Sequence, residues 1–133
     1  MRILIVDDDA DDRKVFITAV KEVDETIDCM DVSNGELALS FLQAAEELPD
    51  IIFLDLRMPR VSGKACLLAI KKDERLKQIP VYIYTTSREV EESIELKEMG
   101  AFHFISKPNN EEEVYFLVAF AVEEFLHTEK QNN

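Results

Sequence analysis

Apolar residues fall along this chain in two rhythms that alternate from end to end. Ile3-Leu4-Ile5-Val6 and Ile51-Ile52-Phe53-Leu54 are short unbroken runs rich in β-branched residues, and they predict strands buried on both faces. Val81-Tyr82-Ile83-Tyr84, introduced by Pro80, reads the same way, while Ile27 to Val32 and Phe102 to Ile105 give weaker strands. Between the strands the period changes to that of a helix. Val15, Phe16, Ala19 and Val20 form one stripe; Leu37, Ala38, Phe41 and Leu42 a second; Cys66, Leu67 and Ile70 a third. Val90, Ile94, Leu96 and Met99 form a thinner fourth stripe, interrupted by Glu91, Glu92, Glu95, Lys97 and Glu98. A last helix follows Asn109-Asn110, either of which can cap it; Glu111-Glu112-Glu113 suits its positive end, and apolar residues continue to Leu126. Strand and helix alternating five times imply one α/β domain with an all-parallel sheet, right-handed crossovers and helices on both faces. The domain is expected to span residues 1–127, with a polar, frayed tail over residues 128–133.

The residues at the strand ends carry the chemistry. Asp7 and Asp8 follow the first strand, Asp55 the third, Thr85 the fourth and Lys107 the fifth. The carboxyl ends of parallel strands are where open α/β sheets bind ligands. Carboxylates crowded there repel one another unless a cation neutralises them, and a small set of hard oxygen donors suits Mg²⁺. Such a site is fitted to phosphoryl transfer: a carboxylate nucleophile, with a cation, an ammonium and a hydroxyl to offset charge on the transferred group. Singly, each residue has a plainer use. Asp7 or Asp8 could cap a helix, Asp55 could serve a turn, Thr85 could be a β-former and Lys107 a solvated lysine, and it is the set that points to chemistry. Asp9, Asp11 and Asp12 are read as caps and solvent-facing acids, Gly63 as a backbone requirement at a turn into a helix, and His103 and His127 as surface residues.

Charge narrows the partners. Fifteen basic against 28 acidic residues leave a net charge of −13, which would repel nucleic acid and anionic membranes. Cys29 and Cys66 have neither CxxC nor zinc-ligand spacing and are expected to be reduced, buried thiols in a cytoplasmic protein. No apolar run has the length of a membrane span or of a signal-peptide core, so a soluble protein is expected.

Val6-Asp7-Asp8, Leu54-Asp55-Leu56-Arg57-Met58-Pro59-Arg60-Val61-Ser62-Gly63, Thr85-Thr86-Ser87 and Ile105-Ser106-Lys107-Pro108 together resemble the motifs of response-regulator receiver domains of two-component signalling, in character nearest to the small single-domain regulators. The resemblance covers nearly the whole chain. It implies a flavodoxin-like sheet ordered 2-1-3-4-5, with Asp55 as phosphoacceptor. It implies that Asp8, Asp55 and the backbone carbonyl of Arg57 bind Mg²⁺ directly and that Asp7 binds it through water. Lys107 and Thr85 would contact the phosphoryl group. Thr85 would then move, Phe104, which serves equally well as plain core, would rotate inward, and the surface of the fourth helix, fifth strand and fifth helix would change its affinity for a downstream protein target. The phosphoryl donor would be a sensor histidine kinase or a phosphotransfer protein. Arg57 and Ser87 stand two places beyond the acceptor and the threonine, where this family influences water attack. Neither is an acid or amide suited to orienting water, so slow self-dephosphorylation is expected.

On the last helix, Val114, Leu117, Val118, Ala121 and Phe125 suffice for one buried face, and Tyr115, Phe116, Phe120 and Val122 are left over. A homodimer through this helix and the fifth strand is therefore expected. Rival functions fare less well. A flavodoxin-like electron carrier would place hydroxyls and amides where Asp7-Asp8-Asp9 stands. Phosphatases of the haloacid-dehalogenase type want a second acid two residues beyond the nucleophile, and Arg57 occupies that place. Nucleotide sites lack their glycine loops, because the glycines are Gly35, Gly63 and Gly100. The alternative that keeps the fold is a pseudo-receiver working through constitutive contacts. No metabolic enzyme activity is expected.

Overall fold

The structure is a computed structural model, and it describes residues 1–86 and 89–132. In chain order it contains β1 (Arg2–Val6), α1 (Ala10–Val23), β2 (Asp28–Val32), α2 (Gly35–Ala44), β3 (Ile51–Leu54), α3 (Gly63–Lys72), β4 (Val81–Thr85), α4 (Val90–Glu98), β5 (His103–Ser106) and α5 (Glu111–Asn132). The five strands are all parallel in the order β2-β1-β3-β4-β5, as the flavodoxin-like expectation requires. Side chains alternate across a strand, and the core divides accordingly. Leu4, Val6, Ile52, Leu54 and Ile83 pack toward α2, α3 and α4, while Ile3, Ile5, Phe53, Tyr82 and Tyr84 pack toward α1 and α5.

Local chemistry explains where the helices begin. Asp9, Asn34 and Ser62 each accept a bond from the backbone N–H three residues on, starting α1, α2 and α3. Asn110 does the same for α5 through the Glu113 N–H at 2.9 Å. Glu89, the N-cap of α4, makes no capping bond through its side chain. Gly100 ends the turn after α4 at a φ of +110°, a conformation that costs glycine nothing.

Three expectations need correction. Leu37 is exposed, because α2 turns Gly35, Ala38 and Leu42 to the sheet and fills the flank with Leu39 and Phe41. Val122 is buried with Val118 and Ala121, leaving Phe116 and Phe120 as the exposed aromatic residues of α5. His103 is half-buried rather than a surface residue, for reasons given below. The helix α5 runs on to Asn132. No helix among the described residues is long and apolar enough to cross a membrane. Cys29 and Cys66 are free, and burial pushes both thiols up to about 12.

Candidate functional site

Hydrogen bonds just past the strand ends assemble the acidic cluster. The Asp55 N–H donates to the Val6 carbonyl at 2.9 Å and the Asp7 N–H to the Val32 carbonyl at 3.1 Å, so the β1 and β3 ladders carry both acids to one edge. The three consecutive aspartates then take separate tasks. Asp7 turns inward, is fully buried, and accepts from the Asp9 N–H at 2.9 Å; Asp8 is exposed; Asp9 caps α1. Arg13 holds the loop from outside, its guanidinium donating to the Asp7 carbonyl at 2.9 Å and to Asp31 Oδ2 at 3.0 Å. One oxygen each from Asp7, Asp8 and Asp55 lie within 4.8 Å of one another. Asp55 is itself nearly inaccessible, at 4% exposure.

The loop after Asp55 is fixed by close packing. The Gly63 N–H donates to the Leu56 carbonyl at 3.1 Å, and a Cβ at Gly63 would lie 2.1 Å from the Asp55 carbonyl oxygen. Glycine is thus required by the approach of α3 to the acceptor's backbone, not by an unusual φ. The Arg57 N–H points to Asp55 Oδ1 at 3.4 Å, and the Arg57 side chain pairs with Glu92 on α4 at 3.3 Å.

Strands β4 and β5 bring the other two groups. The Lys107 N–H donates to the Thr85 carbonyl at 2.7 Å, which continues the β4–β5 ladder by one step. The Lys107 ammonium then lies 2.7 Å from Asp7 Oδ2, 2.8 Å from Asp12 Oδ2 and 3.4 Å from Asp55 Oδ2, with the Tyr84 ring 5.7 Å away. The Thr85 hydroxyl is fully buried and has no hydrogen-bond partner among the described residues. A buried hydroxyl left unpaired costs on the order of 1–3 kcal/mol, which marks this position as one built for another task. Phe104 is half-buried on β5, opposite Ile83, and packs against the core on the α2–α3 side. Ser87, the position expected to influence water attack together with Arg57, lies outside the described residues.

The electrostatics are those of a site short of positive charge. Burial pushes the Asp7 carboxyl up to about 6, the Lys107 hydrogen bond pulls it back, and the charge of Asp55 adds to the rise. Burial alone would lower the Lys107 ammonium, but its bonds to Asp12 and Asp7 outweigh that and raise it. Among the described residues one ammonium serves three carboxylates, and Asp8 is in no ion pair. A hard divalent cation fits this all-oxygen donor set: two buried carboxylates form its base and an exposed one leaves room for water or phosphate oxygens.

Sequence reasoning missed three participants. Asp12, taken for a solvent-facing acid, binds Lys107; only its place in the first turn of α1, one turn beyond Asp8, hinted at this. Glu92 was read as an interruption of a stripe and pairs with Arg57. His103 and Tyr82 share Glu124 of α5: His103 Nε2 lies 3.0 Å from Oε2, and the Tyr82 hydroxyl donates to Oε1 at 2.5 Å. The buried Tyr82 phenol thus finds its partner on α5, too remote in sequence for any local signal.

Comparison with known proteins matches this geometry to one family. The family model described as response regulator receiver domain matches residues 3–119. Among curated proteins, the regulatory protein AtoC of Escherichia coli (strain K12) is 33% identical over 122 residues, which is 92% of this chain and 25% of AtoC. The chain thus spans about a quarter of that relative's length, and 42% of the probable transcriptional regulator ycf27 of Guillardia theta. Among solved structures, the phosphorylated cyanobacterial phytochrome response regulator RcpA superposes with a TM-score of 0.87 at 27% identity, covering 96% of this chain and 94% of that one.

Proposed function

The chain belongs to the family of response regulator receiver domains, and from that premise we propose that it is a phosphorylation-switched binding module whose acceptor is Asp55. The observation that carries the proposal is the company Asp55 keeps: a buried ammonium 3.4 Å from its Oδ2, and on the neighbouring strand a buried threonine hydroxyl with nothing to bond. The hydroxyl is a donor without an acceptor and the ammonium already lies beside Asp55, so a phosphoryl group there would offer oxygens to both.

In the proposed reaction an Asp55 carboxylate oxygen attacks the phosphorus of a phosphohistidine on a sensor histidine kinase or phosphotransfer protein. The O–P bond forms as the bond from phosphorus to the imidazole nitrogen breaks, and the electron pair leaves with the imidazole. Lys107 offsets the charge spread over the phosphoryl oxygens, and the Thr85 hydroxyl donates to one of them once drawn toward Asp55. Asp7, Asp8 and Asp55, with the Arg57 carbonyl, would hold Mg²⁺, which when bound neutralises phosphoryl oxygens. The related regulator Rcp1, 29% identical, has been solved in a Mn²⁺-bound form, which supports a divalent ion here.

Movement of Thr85 vacates space on β4 beside Phe104, and the switch is read at α4, β5 and α5. Phe102, Phe116 and Phe120 are exposed there, the last 6.3 Å from the His103 ring. We assign this apolar strip to a second copy of the chain, because it joins the β5 and α5 surfaces in one face. A downstream protein target would compete for or follow that assembly. Arg57, engaged with Glu92, offers water no carboxylate or amide, so the phosphoryl group is expected to persist. Solubility, a cytoplasmic setting and avoidance of nucleic acid accord with a charge of −13.

Mg²⁺-dependent labelling with a small phosphodonor, read by intact mass, tests the proposal. Wild type is expected to gain one phosphoryl group and Asp55→Asn none, with size analysis of the labelled protein reporting association. A folded wild type that binds Mg²⁺ and gains no mass would transfer the argument to constitutive, phosphorylation-independent contacts.

A further inference from the structure

Lys107 is held by an acid that lies outside the cation cluster. Its ammonium is bracketed by Asp7 at 2.7 Å and Asp12 at 2.8 Å, with Asp55 farther off at 3.4 Å. Asp7 and Asp55 also belong, with Asp8, to the group of carboxylates able to hold a divalent ion, and Asp12 does not. An ammonium and a divalent cation cannot both draw fully on Asp7 and Asp55, because they repel each other across the shared carboxylates. The lysine needs a counter-charge that the cation does not use.

Asp12 is placed to supply it. Its own N–H donates to Asp9 Oδ1 at 3.0 Å, so the capped first turn of α1 fixes its backbone and aims its carboxylate at the end of β5. The Lys107 side chain is only 10% exposed, and among the described residues these three carboxylates are its ion-pair partners. We propose that Asp12 is a positioning residue for Lys107: it draws the ammonium to the α1 side of the site, freeing Asp7 and Asp55 for a divalent cation while keeping the lysine within reach of the acceptor. This rests on the receiver reading of the site. Without Asp12 the ammonium settles on Asp7 and Asp55 and competes with the metal.

The test is Mg²⁺ affinity of the unphosphorylated full chain, measured by calorimetry in a double-mutant cycle. Asp12→Asn is expected to weaken Mg²⁺ binding about tenfold through its coupling to Lys107. Asp11→Asn removes the same charge from an exposed neighbour and is expected to weaken binding no more than about twofold. In a Lys107→Met background the Asp12→Asn effect should fall to that of Asp11→Asn, because no ammonium is left to displace. Equal effects of the Asp12 and Asp11 variants in the native background would overturn the positioning role, as would an Asp12 effect undiminished by loss of the lysine. Wild-type protein that takes up no Mg²⁺ would overturn both this role and the receiver reading, whereas intact wild-type binding and phosphorylation would confine any failure to Asp12.

Discussion

The two sides of Asp55 are built differently. On one side, Ile3–Val6 of β1 and Ile51–Leu54 of β3 are completely buried, and the helices beside them begin at side-chain caps. On the other, every residue of β5 is half-buried, and α4 buries only Leu96 while Val90 and Ile94 stand 71% and 55% exposed. Besides Leu96, α4 is fastened among the described residues by charge: Arg57 with Glu92, and Lys64 with Glu95. Exposed pairs of this kind contribute about 0–1 kcal/mol, against roughly 1.5–3 kcal/mol for each buried aliphatic side chain. Asp55 is therefore anchored on rigid strand ends, while the proposed readout face of α4 and β5 is held more weakly. A site that had to move as a whole would lose its geometry; a readout that could not move would report nothing.

Substitution of Leu54 should bring out the contrast most strongly. Leu54→Ala removes a fully buried side chain one residue before the acceptor and is expected to cost about 2–5 kcal/mol in urea unfolding. Ile94→Ala on α4 should stay within about 0.5 kcal/mol of wild type. Comparable losses from the two would erase the distinction between the halves.

A smaller effect is expected at the bond that ties β4 and β5 to α5. Glu124→Gln strips the carboxylate from His103 and Tyr82 and should destabilise the fold by about 1–2 kcal/mol at pH 7. Burial opposes ionisation of Glu124, yet the His103 and Tyr82 hydrogen bonds prevail and lower its carboxyl below the ordinary 4.5. Because the folded value is the lower one, this stability is present above pH 4.5 and is lost as pH falls through the folded value. The gap between wild type and variant in unfolding experiments should therefore close in acid. A gap that widened below pH 4.5 would reverse the assigned sign.

The smallest effect on stability should be the most local. Glu92→Gln releases Arg57 and is expected to cost less than about 1 kcal/mol. Amide exchange should nevertheless quicken in α4 while β1 and β3 stay protected, and salt should mimic the substitution in wild type. Uniform acceleration across the sheet would mean that α4 is no softer than the rest.

Much of this contrast is visible in the sequence. Unbroken apolar runs at Ile3–Val6 and Ile51–Leu54 can be satisfied only by burial on both faces, and the acids that end them must lie at the sheet edge. The thin stripe of α4 likewise announces weak packing. Periodicity alone did not decide which way α2 faces, because Leu37 and Leu39 flank Ala38 and either can complete a stripe; the approach of Gly35 to Val61 settles the rotation. Asp12 and Glu124 were beyond reach for another reason. Their partners Lys107, Tyr82 and His103 are 95, 42 and 21 residues away, and only the docking of α1 and α5 on the same face of the sheet brings them near. Local pattern carries burial well, but it does not carry which polar groups meet across packed elements.

Hydrogen–deuterium exchange on wild type and Asp55→Asn, with and without Mg²⁺ and a small phosphodonor, tests most directly whether one carboxylate controls the loosely held face. Exchange in α4, β5 and the exposed side of α5 should change in labelled wild type, with β1 and β3 unaltered and Asp55→Asn indifferent to the donor. Wild type that carries the phosphoryl mass yet exchanges identically throughout would contradict the account.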